Sequence, residues 1–191
     1  MMASACALGL TVVEDDEVVE RRSWLIRPAE LRICPFNTRI HGITEDDVRN
    51  EAEFSDLWFL IRSYLDGQNV IAHNALFDMS VLKSTLDLYE IPYPEFNYAC
   101  TVTISRKVWP RPEVVNHKLN TMAAHLGVEF KHHDASDDAY AAAMIALEAG
   151  KKTKTDSFEV MLMRLGMRAQ GFGGSDTGEP QLKKPLKAPR L

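Results

Sequence analysis

Two short polar motifs constrain this chain more than anything else in it, because each stands where one kind of apolar pattern gives way to another. They are His73-Asn74-Ala75-Leu76-Phe77-Asp78 and His133-Asp134-Ala135-Ser136-Asp137-Asp138. The first follows Asn69 to Ala72, a short apolar run that reads as a buried strand, and precedes Met79, Leu82, Leu86 and Tyr89 at helical spacing. The second opens an alanine-rich run from about Ala135 to Ala149, a helix whose small side chains allow close packing against a sheet. In open α/β sheets the polar residues at strand C-termini and adjoining helix starts gather at one rim. Asp78 and Asp138, 60 residues apart in the chain, are therefore expected at the same edge of an α/β fold.

The remaining segments fit that class. Ser4 to Val13 and Val18 to Ile26 are β-rich runs on either side of Glu14-Asp15-Asp16-Glu17, which predicts an antiparallel hairpin. Thr44-Glu45-Asp46-Asp47 resembles a capped helix start, and Phe54, Leu57, Trp58, Ile61 and Leu65 continue at helical spacing until Gly67. Pro92 and Pro94 precede a strand at Phe96 to Cys100. A helix near Thr101 to Val108, a Pro-rich basic loop from Trp109 to Lys118 and a short helix at Leu119 to Leu126 come next. Residues 1–150 form one domain in this reading, and 151–167 form a linker with a short amphipathic helix at Phe158 to Leu165. Residues 168–191, with four glycines, three prolines and five basic residues against two acidic ones, read as a disordered basic tail.

Composition narrows the class further. A 46% hydrophobic content can build a normal core, and a net charge of −5 argues against a protein that simply coats nucleic acid. Cys6, Cys34 and Cys100 are odd in number and contain no CxxC pair, so neither a disulfide framework nor a structural zinc site is suggested. A reducing cytoplasm fits that usage. No stretch reaches the roughly 20 apolar residues needed to span a membrane, so no membrane partner is expected.

The paired motifs resemble the second and third signature motifs of the DEDDh, or DnaQ-like, exonucleases, a family that includes proofreading subunits of bacterial DNA polymerases. Ile40-His41-Gly42-Ile43-Thr44 and Asn116-His117-Lys118-Leu119-Asn120 resemble further family segments, and the likeness covers roughly residues 3–149. It implies a ribonuclease H-like α/β fold, a mixed sheet flanked by helices. It implies a metal-dependent 3′–5′ exonuclease acting on single-stranded nucleic-acid ends, DNA ahead of RNA, with a DNA polymerase as a further partner. Asp78 and Asp138 become metal ligands for Mg²⁺ or Mn²⁺, two ions in the complete family site, hard cations that suit carboxylate oxygens. His133 becomes the general base, five residues ahead of Asp138, and an imidazole ordinarily titrates near pH 6.5, which suits that task. His41, Gly42, Ile43, Asn74 and Phe77 become substrate-groove residues. Local roles compete with these assignments: Asn74 as a helix cap, Phe77 as core packing, Gly42 as a loop residue needing backbone freedom. His132 and Asp137 are the adjacent alternatives to His133 and Asp138, each one residue out of register.

The family's first motif, an Asp-x-Glu on the central strand, has no counterpart in this sequence. The expectation is a sheet lacking its first central strand, an N-terminally truncated exonuclease domain and impaired activity. The alternative is a non-catalytic module of the same fold that binds nucleic acid or a polymerase.

Overall fold

The computed structural model describes residues 5–131 and 133–173. β1 (Ala7–Glu14) and β2 (Glu17–Leu25) form the expected antiparallel hairpin, with a bulge between Val12 and Val13. The turn is tighter than the acidic quartet suggested. Glu14 pairs with Glu17, and only Asp15 and Asp16 turn the chain, both at positive φ, which matches the right-handed twist of the strands. The second sheet pairs β3 (Asn69–Ala72) in parallel with β4 (Phe96–Cys100), and β5 (Gln170–Phe172) lies antiparallel on the far side of β4.

Eight helices are present among the described residues: α1 (Pro35–His41), α2 (Glu45–Val48), α3 (Phe54–Ser63), α4 (Ala75–Leu88), α5 (Thr101–Val108), α6 (Leu119–Leu126), α7 (Ala135–Thr153) and α8 (Phe158–Arg164). The helix expected to run on from Thr44 is two helices. Thr44 and Asp47 close one capping box, Glu53 and Asp56 close a second, and the chain between them leaves helical geometry to bring Glu53 beside Arg27. Two parts of the expected domain division also need correction. α7 extends through Thr153, and α8 buries Met161 and Leu162 in the same core as α5, α6 and α7, so 151–167 is integral to the domain and not a linker. Within the expected basic tail, Gln170–Phe172 is a strand, and Phe172 stacks on Phe96 with ring centroids 4.7 Å apart. The rest of that tail, from 174 onward, lies outside the described residues.

Alternation along β4 sorts its side chains onto two cores. Phe96 and Tyr98 join α3 and α4 on one face, while Ala99 joins α5 to α8 on the other. Leu8 and Leu10 of β1 share the first core with Val70 and Ala72 of β3, and α7 packs against β1, β2 and β3. The hairpin and the three-stranded sheet are thus flanked by the same helices, yet among the described residues no ladder joins β1 to β3. The mixed α/β architecture is the expected one, and the gap falls where the central strand was missing from the sequence. Thr11 on β1 keeps a buried hydroxyl without a hydrogen-bond partner.

The hairpin and α7 approach backbone to backbone at Gly9, an interior strand glycine of the kind that marks such contacts. A Cβ there would lie 1.9 Å from the Ala135 carbonyl oxygen and 2.7 Å from the Ser136 nitrogen. Gly9→Ala is expected to lower unfolding free energy by about 3 kcal/mol, since backbone on both sides must move to admit the methyl. Urea denaturation measures this, and an unchanged midpoint would show that the hairpin seats loosely on α7.

Candidate active site

Asp78 lies one turn into α4, which begins directly after the strand end His73-Asn74. Asn74 enters the helix at φ 69°, a left-handed conformation that asparagine tolerates, and its side chain makes no cap hydrogen bond. The competing reading of Asn74 as a side-chain cap therefore fails, and its side chain is left exposed. Desolvation drives the Asp78 carboxyl up to about 6; a backbone hydrogen bond opposes the rise and the charge of Asp138 adds to it. The two carboxylates thus sit near enough to repel.

Asp138 is held from the other side. Asp134 caps α7, its carboxylate accepting from the Ser136 and Asp137 nitrogens at 3.0 and 3.2 Å. His133, in the turn before it at φ 71°, donates its backbone N–H to the Asp138 Oδ1 at 3.3 Å. Asp137 is spent elsewhere: it pairs with Arg21 of β2 and accepts the Lys131 N–H at 2.7 Å. These two donors, Lys131 first, hold its carboxyl below the usual range. Arg21 also lies over the Tyr140 ring, 4.4 Å from its centroid. Sequence reasoning did not find this pin between hairpin and motif helix. His132 lies outside the described residues.

The segment at His41 reaches the same place. Burial lowers the His41 imidazole and the nearness of His133 lowers it further, so the end of α1 faces the motif turn. Its Nδ1 accepts the Ile43 N–H at 3.0 Å, and its Nε2 is 3.7 Å from the Cys6 sulfur. Gly42 sits at φ 77° and donates to the Thr38 carbonyl, ending α1 in the left-handed cap that glycine favours. Phe77 does not take the competing role in core packing. It is 61% exposed, and Leu76 beside it is 75% exposed, because α4 buries Ala75, Met79 and Leu86 against the sheet and turns 76 and 77 outward.

The donor set fits a hard divalent cation in kind and falls short in number. Asp78 and Asp138 offer carboxylate oxygens, one of which already accepts the His133 N–H, and no group of three or more His, Cys, Asp or Glu that could hold a metal occurs among the described residues. A two-ion site is not complete on these residues alone.

The raised carboxyl has a thermodynamic consequence. Folded Asp78 takes a proton more readily than unfolded aspartate, so its contribution to stability is full below pH 4 and is lost as pH rises to about 6. Asp78→Asn is therefore expected to be more stable than the parent chain above pH 6, with the difference vanishing near pH 4. Solvent still reaches the residue and trims the size of the effect. Urea midpoints at several pH values in chelator measure it. A gain that is equal at every pH, or a loss at pH 7, would contradict the electrostatic origin.

The mixed α/β fold thus brings the Asp78 and Asp138 carboxylates near one another, with His41 close to His133. The exonuclease (RNase_T) family model matches residues 3–146, and the chain belongs to that family. It is 29% identical over 135 residues to the PolC-type DNA polymerase III of Oceanobacillus iheyensis, covering 70% of this chain and 9% of that protein. It is 30% identical over 148 residues to the 3′–5′ exonuclease DinG of Bacillus subtilis, covering 77% of this chain and 16% of that one. The chain thus spans a small part of these curated relatives. Among solved structures it resembles exonuclease X in complex with 5′ overhanging duplex DNA, with TM-score 0.69 and 23% identity over 86% of this chain and 93% of that one. It also resembles the nuclease domain of 3′hExo, a DEDDh family member bound to rAMP, with TM-score 0.68 and 16% identity over 79% and 82% of the two chains. The fold is the DnaQ-like, DEDDh one. No helix among the described residues is long and apolar enough to cross a membrane.

Proposed function

We propose that this chain is the catalytic domain of a metal-dependent 3′–5′ exonuclease acting on single-stranded ends, DNA ahead of RNA, in the service of a DNA polymerase. The observation that carries the proposal is the convergence of Asp78 and Asp138 from separate motifs, with the His133 backbone bound to the second carboxylate. Asp78 and Asp138 would hold Mg²⁺ or Mn²⁺, which supplies charge neutralisation at the phosphate and an activated water. His133 takes the proton of the attacking water. His41, Gly42 and Ile43 flank the groove, and the exposed Phe77 ring beside Asn74 offers a surface for the terminal base to stack on. The similarity to a PolC-type DNA polymerase III and to the 3′–5′ exonuclease DinG favours DNA and a polymerase partner.

A second reading, a non-catalytic nucleic-acid-binding or polymerase-binding module, is favoured by the incomplete donor set. The two separate in one experiment: single-stranded DNA labelled at either end is incubated with Mg²⁺ and the chain, with and without an added segment carrying Asp-x-Glu. The enzyme reading requires mononucleotides released from the 3′ end by the extended protein. Binding without release in both forms would leave the second reading standing.

A further inference from the structure

We infer that His73 is a positioning residue that fixes the basic loop before α6 to the strand end delivering Asp78, and so sets affinity for the nucleic-acid strand; the inference rests on the exonuclease reading. His73 directly follows β3 and lies half-buried, with both ring nitrogens engaged. Its Nε2 is 3.0 Å from the His117 carbonyl oxygen, and its Nδ1 is 2.9 Å from the Thr101 hydroxyl. A carbonyl only accepts, so in the neutral ring Nε2 carries the proton and Nδ1 accepts from Thr101. Thr101 is fully buried at the start of α5, and its hydroxyl also lies 3.4 Å from the Ala72 carbonyl oxygen. The chain of bonds continues, since His117 Nε2 donates to the Trp109 carbonyl at 2.8 Å. Two imidazoles thus act in series: His73 ties the end of β3 to the start of α5 and to the His117 end of the loop 109–117, and His117 ties that end to Trp109.

That loop and its flanks carry four exposed cations, Arg106, Lys107, Arg111 and Lys118. Lys118 follows the tied carbonyl by one residue, and its own N–H is turned onto the Asn116 side chain at 3.0 Å. Phosphate contacts of this kind set register and affinity only when the loop holding them is fixed relative to the reacting end. Only four residues, the cap Asn74 and the first turn of α4, separate His73 from Asp78, so the tie has little slack.

The variants that test this are His73→Gln and His73→Asn in the full chain. A glutamine amide reaches the place of Nε2 and keeps the donation to His117; an asparagine amide reaches only the place of Nδ1. Affinity for a short fluorescein-labelled single-stranded DNA with a free 3′ end, read by anisotropy, is expected to fall about fivefold to tenfold in His73→Asn, the size of one lost hydrogen bond, and to stay within about twofold in His73→Gln. Hydrogen exchange of the loop amides should rise in the asparagine variant alone, and the imidazole ¹⁵N spectrum of the parent should show His73 protonated at Nε2. Equal affinities in the two variants, a freed loop with unchanged affinity, or a proton on Nδ1 would each overturn the inference while leaving the exonuclease reading intact. A parent chain with no affinity for single-stranded DNA would instead remove that reading and the inference with it.

Discussion

Placing an extended segment that carries Asp-x-Glu ahead of Ala5 is expected to raise mononucleotide release from single-stranded 3′ ends on the order of 10³-fold over the 191-residue chain, which stays near background. Two features combine in that expectation. Asp78 and Asp138 alone cannot surround two cations, each of which asks for about six oxygen ligands, even with water and phosphate filling some positions. The slot for a further strand is already framed: Leu8 and Leu10 point into the same core as Val70 and Ala72, α7 covers the other side, and no ladder spans the interval among the described residues. A strand seated there would pair both open edges and bring its carboxylates to the rim where Asp78 and Asp138 already repel. The same segment with Asn-x-Gln in place of Asp-x-Glu should stabilise the fold without conferring activity. Equal release by the 191-residue chain and both extended forms would mean that the chemistry runs on a donor set other than the one described here.

Much of this arrangement was legible in the sequence where one local pattern dominated. The hairpin followed from β-rich runs around an acidic turn, and α7 from its alanine density. α1 escaped because none of its residues is buried, so it leaves no apolar period; only Pro35 at its first turn marks it. The break between α2 and α3 was readable in principle, since Glu53 and Asp56 repeat the spacing of Thr44 and Asp47. β5 was not, because Gln170-Gly171-Phe172 is strand only by virtue of pairing with β4 and stacking on Phe96. At the site, the motif spacing marked the carboxylates and His133 as candidates, and Asp137 is engaged by Arg21 and Lys131. Arg21 lies 116 residues from the aspartate it pins, and no local pattern announces such a contact. Phe77 carried two readings, groove and core, and the core one falls only once the structure shows which face of α4 the sheet has taken.

In the strand-completed enzyme, His133→Ala is expected to lower kcat by about 10² to 10⁴-fold while moving KM little, the signature of a lost general base and not of lost binding. The geometry makes the split informative. His133 reaches Asp138 through its backbone N–H, which an alanine retains, so the carboxylate keeps that hydrogen bond when the ring is removed. Asp138→Asn differs in kind, because it takes away a charge facing Asp78 as well as a ligand, and should weaken metal dependence and turnover together. His41 supplies the internal comparison: its ring lies close enough to His133 to feel its charge, yet its Nδ1 is committed to the Ile43 N–H. His41→Ala should therefore act mainly on KM. A His133→Ala enzyme with unchanged kcat across neutral pH would take the base role away from this residue and pass it to a neighbour in the same turn.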